Sequence, residues 1–273
     1  MKLGLDAGQS TLDLAVELGI HGVPIGADQL AQQGVEATLA PLKQRGLGVC
    51  QIGAFGYNPL STDRQGQTHQ DDLLRKAIPL AAATGCRYIT IGPGNYHPSG
   101  FLAEDPRNHT PMALKAMAAA LKPMLELAAT YGVNLTVEPY LKGAVNGPEA
   151  FLALWQQVKA PNLRANVDPS SLYIYEDLLD ARSKVEKVCK GLAGHYGLVH
   201  IKDIAMGEGF HIHAALAPLG QGPTDWAQFL GLIAPHVPDD SWVILEHVSS
   251  PEEGRTSYRL LRDAAEKMGV ELG

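Results

Sequence analysis

The sequence predicts an α/β protein, a (β/α)8 TIM barrel in which residues 1–273 form a single domain. Two observations carry that prediction. Eight short apolar runs alternate with helix-like segments along the chain, with no repeat, low-complexity tract or Ser/Gly linker to divide them. The competing architecture, a doubly wound open sheet, places a glycine-rich phosphate turn after its first strand. Here that turn reads LDAGQST, with a single glycine and no G-x-G-x-x-G.

The expected strands, in order, are 2–6 (KLGLD), 21–26 (HGVPIG), 47–53 (LGVCQIG), 87–92 (RYITIG), 133–138 (VNLTVE), 163–168 (LRANVD), 197–203 (GLVHIKD) and 242–247 (WVILEH). Between them the chain carries helix punctuation. Thr110-Pro111 offers an N-cap followed by proline at the first helical position. Leu114, Met117, Leu121, Met124 and Ala128 then recur at helical steps until Gly132 stops the pattern. Ser250-Pro251-Glu252-Glu253 reads as a capping box opening the last helix. Thr68 and Thr224 read as similar caps, and Pro79 and Pro123 are expected to kink the helices that contain them.

Composition narrows the function. An apolar content of 45 % supports a sizeable core, and the charge and Gly/Pro content are those of a globular chain. A net charge of −7 with scattered basic residues argues against a nucleic-acid partner. The start, MKLGLDAGQS, lacks a signal peptide's apolar stretch, and no segment approaches about 18 continuous apolar residues, so no membrane partner is expected. Three widely spaced cysteines, Cys50, Cys86 and Cys189, read as reduced thiols of a cytoplasmic protein.

Barrel strands alternate between facing the lumen and facing the helices. In 197–203, Val199 and Ile201 take the helix side, leaving Leu198, His200 and Lys202 in the lumen. The same parity turns Asn134, Thr136 and Glu138 inward, then Arg164, Asn166 and Asp168, then Trp242, Ile244 and Glu246. The last four strands thus each end near an inward carboxylate or imidazole: Glu138, Asp168, His200 and Glu246. Active sites of this fold lie at the C-terminal strand ends. Converging carboxylates repel unless compensated; Lys202 supplies part of that charge, and a divalent cation supplies more. Three carboxylates and one imidazole suit one divalent metal ion, Mn²⁺ or Mg²⁺ foremost, with Co²⁺ or Zn²⁺ as options.

The strand ends TVEP, NVDP, VHIKD and LEH, with LAPLGQGPTDW at 216–226, resemble the xylose-isomerase-like barrel superfamily of sugar isomerases and epimerases. That superfamily also includes apurinic-site endonucleases and inosose dehydratases. The resemblance covers nearly the whole chain, and H-x-K-D followed by P-L-G-x-G-x-x-D-W is its most specific part. It implies that Glu138, Asp168, His200 and Glu246 bind one divalent metal. It also implies that the metal holds two adjacent substrate oxygens and stabilises an enediolate, while Glu138 and Glu246 exchange protons with the sugar. Lys202 would then reach the substrate or a carboxylate at the rim, with structural charge compensation as its alternative role.

Some positions depart from the ketose 3-epimerase pattern. Ala144 stands where a second glutamate is usual, Ser171 where a histidine is, and Met206 where an arginine is. The metal core is retained while the usual sugar-gripping groups are not. Ser171 also removes a zinc ligand of the apurinic-site enzymes, which weakens a nuclease reading. Loop residues left to meet the substrate are His97, Ser171 and His213, with Phe55, Tyr57, Asn58, Tyr96 and His211 as further wall candidates. PLGQG offers backbone amides to a phosphate, or simply a turn before a helix.

The resemblance thus implies a divalent-metal-dependent sugar isomerase or epimerase acting on a small sugar or polyol-derived substrate. The alternative is a metal-dependent lyase on the same barrel, inosose-dehydratase-like or cleaving an oxidised glycoside. A non-catalytic barrel is the third reading, and a homo-oligomer is left open.

Overall fold

In a computed structural model the chain is described over residues 1–273, the side chains of Arg64 and Leu102 excepted. The strands are β1 (Lys2–Leu5), β2 (Gly22–Gly26), β3 (Gly48–Ala54), β4 (Tyr88–Ile91), β5 (Asn134–Val137), β6 (Leu163–Val167), β7 (Tyr196–Ile201), β8 (Asp203–Met206), β9 (Ala214–Ala217) and β10 (Trp242–Leu245). The helices are α1 (Thr11–Leu18), α2 (Ala27–Lys43), α3 (Arg64–Thr84), α4 (Pro111–Thr130), α5 (Pro148–Val158), α6 (Arg182–Gly191), α7 (Trp226–Ile233) and α8 (Pro251–Met268). Parallel strands close in the order β1-β10-β7-β6-β5-β4-β3-β2, which excludes the open sheet. No helix among the described residues is long and apolar enough to cross a membrane.

Every expected barrel strand is present, shifted by a residue or two. One boundary matters for chemistry. The run 197–203 is not one strand: the barrel strand ends at Ile201, and Asp203 opens a separate antiparallel hairpin, β8 with β9. The loop expected after strand seven is therefore partly ordered, pairing Asp203 with Ala217 and Met206 with Ala214.

The parity reading holds over the last four barrel strands. Leu135, Val137, Leu163, Ala165, Val167, Val199, Ile201, Val243 and Leu245 join the core beneath the helices. Inside the lumen, Cys50, Tyr88, Leu198 and Ile244 pack together over Trp242 to form an apolar floor. Fully burying an aliphatic side chain such as Leu198 contributes about 1.5–3 kcal/mol. The floor needs room for the indole: a Cβ on Gly22 would lie 2.5 Å from the Trp242 ring, so only glycine fits at that point of β2. Above this floor come Gln51, Thr90, Thr136 and Asn166, and above them the ionisable residues, so polarity rises along the lumen.

Helix caps follow the expected chemistry with two corrections. Thr110 Oγ1 accepts from Ala113 N–H at 3.3 Å, and Ser250 Oγ accepts from Glu253 N–H at 3.2 Å, as expected. Thr68 lies inside α3, whose cap is Asp63, and α7 is capped by Asp225 rather than Thr224. In both cases an aspartate carboxylate accepts two amide protons, where one hydroxyl would accept a single strong bond. Helices α3 and α4 continue past Pro79 and Pro123; the break in helical backbone falls instead at Gly34 of α2, with φ 78°.

Candidate metal centre

Glu138, Asp168 and Glu246 each sit one residue beyond the end of their strand, at the C-terminal mouth of the barrel. There the backbone leaves the ladder while its direction is still fixed; Glu246 N–H, for example, donates to Ile201 O at 3.0 Å. His200 lies one step deeper, near the end of β7, and Lys202 follows where the strand has just ended. His200 and Asp168 are each only 1 % exposed.

The side chains converge. His200 Nδ1 lies 2.9 Å from Glu246 Oε2 and 3.1 Å from Glu138 Oε2. Lys202 Nζ lies 2.7 Å from Glu246 Oε1 and 3.2 Å from Glu138 Oε1, and also contacts Asp168 Oδ2. The two glutamates therefore divide their oxygens, Oε2 toward the imidazole and Oε1 toward the ammonium. Supporting donors hold the carboxylates in place. Asn166 Nδ2 donates to Glu138 Oε2 at 3.2 Å, and Ser171 Oγ donates to Glu138 Oε1 at 2.8 Å. Ser170 gives its backbone N–H and its hydroxyl to Asp168 Oδ1, at 2.9 and 2.6 Å.

The charges shift one another. Burial alone raises the Glu138 carboxyl, but Lys202 and His200 outweigh it and hold Glu138 down at about 2. Burial likewise opposes ionisation of Glu246, which His200 and Lys202 hold well below the usual carboxylate range. Burial pushes Asp168 up; Lys202 opposes this, the charges of Glu138 and Glu246 add to it, and the net direction is upward. Burial works against a charged His200, yet Glu246 and Glu138 raise it to about 10. Lys202, also opposed by burial, is driven well above the usual lysine range by Asp168, Glu138 and Glu246. With His200 protonated, three carboxylates face two cations and one net negative charge remains.

These residues fit a divalent cation. Glu138, Asp168, His200 and Glu246 each offer one ligand atom, all within 4.8 Å of one another. His200 Nδ1 is buried without a hydrogen-bond partner, since the nearby glutamate oxygens lie off its bonding direction. A buried nitrogen that faces carboxylate oxygens without a well-formed hydrogen bond to any of them is what a metal ligand requires. With His200 neutral and Lys202 retained, a divalent ion would bring the cluster to zero net charge. Beside Lys202 and Glu246 a pocket of about 210 Å³ opens, walled by Leu216, Pro218, His247 and Ser249. That volume is below the roughly 300–1,000 Å³ of drug-sized sites and suits a small metabolite. A larger cavity of about 900 Å³ lies at the chain termini, near the N-terminal end of β1 and away from these ligands.

The loop residues are placed as follows. Ser171 is in the site, but its hydroxyl is occupied by Glu138 and Asp168. His97 Nδ1 accepts from Ser99 N–H at 3.1 Å within its own turn, and His213 stands exposed at the β8–β9 hairpin. Tyr57 is buried in the core, and Asn58 ties its loop to the backbone of Asn95. The PLGQG amides are already used: Gly220 and Gly222 both donate to Asp203 Oδ2 at 3.0 Å, and Thr224 Oγ1 to Asp203 Oδ1 at 3.1 Å. The turn reading of this motif therefore holds and the phosphate reading is withdrawn. Sequence reasoning missed Gln51, whose Oε1 lies 2.7 Å from His200 Nε2, and His247, which follows Glu246 in a left-handed conformation with φ 59°. The signal for Gln51 was its polarity inside the apolar run LGVCQIG.

Solved structures match along almost the whole chain. A xylose isomerase-like TIM barrel protein from Mycobacterium smegmatis in complex with magnesium is 17 % identical, with 93 % of this chain and 88 % of that one covered and a TM-score of 0.69. D-psicose 3-epimerase from Clostridium cellulolyticum H10, solved with D-tagatose, is 14 % identical over 98 % of each chain, with a TM-score of 0.68. The probable 3-DHS dehydratase AsbF from Bacillus anthracis is 17 % identical over 96 % of this chain and 99 % of its own, with a TM-score of 0.70. At such identities the likeness establishes the fold. No curated protein sequence matches. The model of one family spans residues 12–264, through every strand end that contributes to the cluster, and the chain belongs to that family, the xylose isomerase-like TIM barrels.

Proposed function

We propose that the protein is a divalent-metal-dependent isomerase or epimerase of a small sugar or polyol-derived substrate, acting by proton transfer next to a carbonyl. The observation that carries this reading is the pair Glu138 and Glu246. They follow directly on β5 and β10, strands separated in the barrel by β6 and β7, so they approach the shared centre from different sides. One can take a proton from carbon while the other returns one. Glu138, Asp168, His200 and Glu246 would hold Mn²⁺ or Mg²⁺, and a magnesium-bound relative supports that ligand chemistry. The ion, when bound, supplies Lewis-acid polarisation of a substrate carbonyl and stabilisation of the negative charge that develops there.

The chain's own groups do the rest. Asp168 is held by Ser170 and serves as a ligand rather than a base. Lys202 keeps Glu138 and Glu246 ionised, as proton acceptors must be. Its Nζ is engaged with all three carboxylates, which favours charge compensation over direct contact with the substrate.

A second reading, a lyase that dehydrates its substrate after the same proton abstraction, has one specific observation behind it. Ser171 spends its hydroxyl on the carboxylates, and Ala144 is buried and apolar, so neither grips a sugar. The dehydratase among the structural relatives supports keeping this reading open. One experiment separates the two. Mn²⁺-loaded protein is incubated in D₂O with a panel of ketoses and keto-inositols and followed by NMR. An isomerase or epimerase washes deuterium into the carbon beside the carbonyl of its substrate; a dehydratase forms an unsaturated product and releases water. Metal-loaded protein that exchanges no proton with any of them would contradict both readings.

A further inference from the structure

Gln51 is a buried polar side chain, 4 % exposed, beneath the ionisable cluster. It faces the lumen because of a register shift: β2 pairs Val23 with Val49 but Pro24 with Gln51, so Cys50 is an extra residue and both it and Gln51 turn inward. Both lone pairs of Gln51 Oε1 are then used. One accepts from His200 Nε2 at 2.7 Å, the other from Thr90 Oγ1 at 2.9 Å. Thr136 Oγ1, 2.8 Å from Thr90 Oγ1, completes a relay across β3, β4 and β5 that fixes the direction of the amide.

We propose that Gln51 is the positioning residue of the centre: by accepting the Nε2 proton of His200, its amide oxygen leaves the Nδ1 lone pair to face Glu138, Asp168 and Glu246. The ring has two nitrogens, and only the one without a proton can ligate. A hydrogen bond to a fixed acceptor decides which one that is and how the plane of the ring is turned. The orphaned Nδ1 and the satisfied Nε2 are two consequences of this one contact. Gln51 touches neither the ligand carboxylates nor the pocket, so it acts through His200 alone.

The inference rests on the metal reading for its purpose but not for its test. Three proteins are compared, wild type, Gln51→Leu and Gln51→Glu, each checked for folding by circular dichroism. In metal-free protein labelled with ¹⁵N-histidine, the wild type is expected to show a solvent-protected Nε2 proton. Gln51→Glu, which can only accept, keeps the hydrogen bond that protects this proton, and in Gln51→Leu the proton loses its protection and its downfield shift. In Mn²⁺ titrations by calorimetry, Gln51→Leu binds about 10–100-fold more weakly, while Gln51→Glu binds at least as tightly as the wild type. Unchanged Mn²⁺ affinity in folded Gln51→Leu, or an equal loss in Gln51→Glu, would overturn the assignment. So would a wild-type Nε2 that carries no protected proton. A wild type that takes up no Mn²⁺ would sink the metal reading, and the fate of the Nε2 proton in the three proteins would still decide the role of Gln51.

Discussion

Replacing Lys202 with methionine keeps the aliphatic stem and removes the ammonium. Nζ is the shared partner of Glu138, Asp168 and Glu246, all buried at the barrel mouth. Without it, His200 is left as the buried cation facing these carboxylates, and among the described residues Asp168 loses its cationic contact. Stripping one partner from a buried ion pair costs about 3–5 kcal/mol, because the remaining charge is left uncompensated. At about 2–4 °C per kcal/mol for a domain of this size, EDTA-treated Lys202→Met should melt roughly 6–20 °C below EDTA-treated wild type. The same change should tighten Mn²⁺ binding. Two unit charges 4 Å apart at an effective dielectric of 20 repel by about 4 kcal/mol, so a gain of tenfold or more in affinity is expected once the neighbouring positive charge is gone. Thermal unfolding with and without Mn²⁺, together with calorimetric titration, reads both effects. Metal-free Lys202→Met as stable as the wild type, or Mn²⁺ affinity lowered by the substitution, would refute the charge-compensation role.

Three further outcomes are expected. Glu138, held at about 2, contributes stability that is complete above its ordinary value of 4.5 and is lost as pH falls through about 2. His200, raised from 6.5 to about 10, contributes stability that is complete below 6.5 and is lost as pH rises through about 10. For these two groups the melting temperature of metal-stripped protein should peak between pH 4.5 and 6.5, while Mn²⁺ affinity climbs about tenfold per pH unit through neutrality as His200 yields its proton. Asp203→Ala leaves Gly220, Gly222 and Thr224 without their acceptor, which should cost about 1–3 kcal/mol and speed hydrogen exchange through residues 218–226.

How much of this was legible in the sequence depends on where the period of two survives. Through 133–138, 163–168 and 242–247 it survives, and parity alone turned Glu138, Asp168 and Glu246 inward, where they converge on His200. Where an extra residue interrupts a strand, parity misleads. Gln51 shares its parity with Val49, which faces the helices, and only the shift at Cys50 brings it into the lumen. The same happens at Gly197, where β6 pairs Ala165 with Tyr196 but Asn166 with Leu198. The β8–β9 hairpin was invisible because its strands are only four residues each, DIAM and AALA, alanine-rich rather than β-branched, and its tip, with Phe210 and Ile212, is exposed. Lys202 was placed in the lumen correctly, but its flexible stem let sequence reasoning choose no partner. The carboxylates chose it, by charge.

The proposed function stands on a single divalent-metal site formed by Glu138, Asp168, His200 and Glu246. Its most direct test is metal stoichiometry, measured by elemental analysis and Mn²⁺ titration on wild type and Glu246→Gln. One divalent ion per wild-type chain is expected, and its loss in a folded Glu246→Gln variant. A wild type that binds no divalent ion in stoichiometric amount, or a Glu246→Gln variant that binds it as tightly, would contradict it.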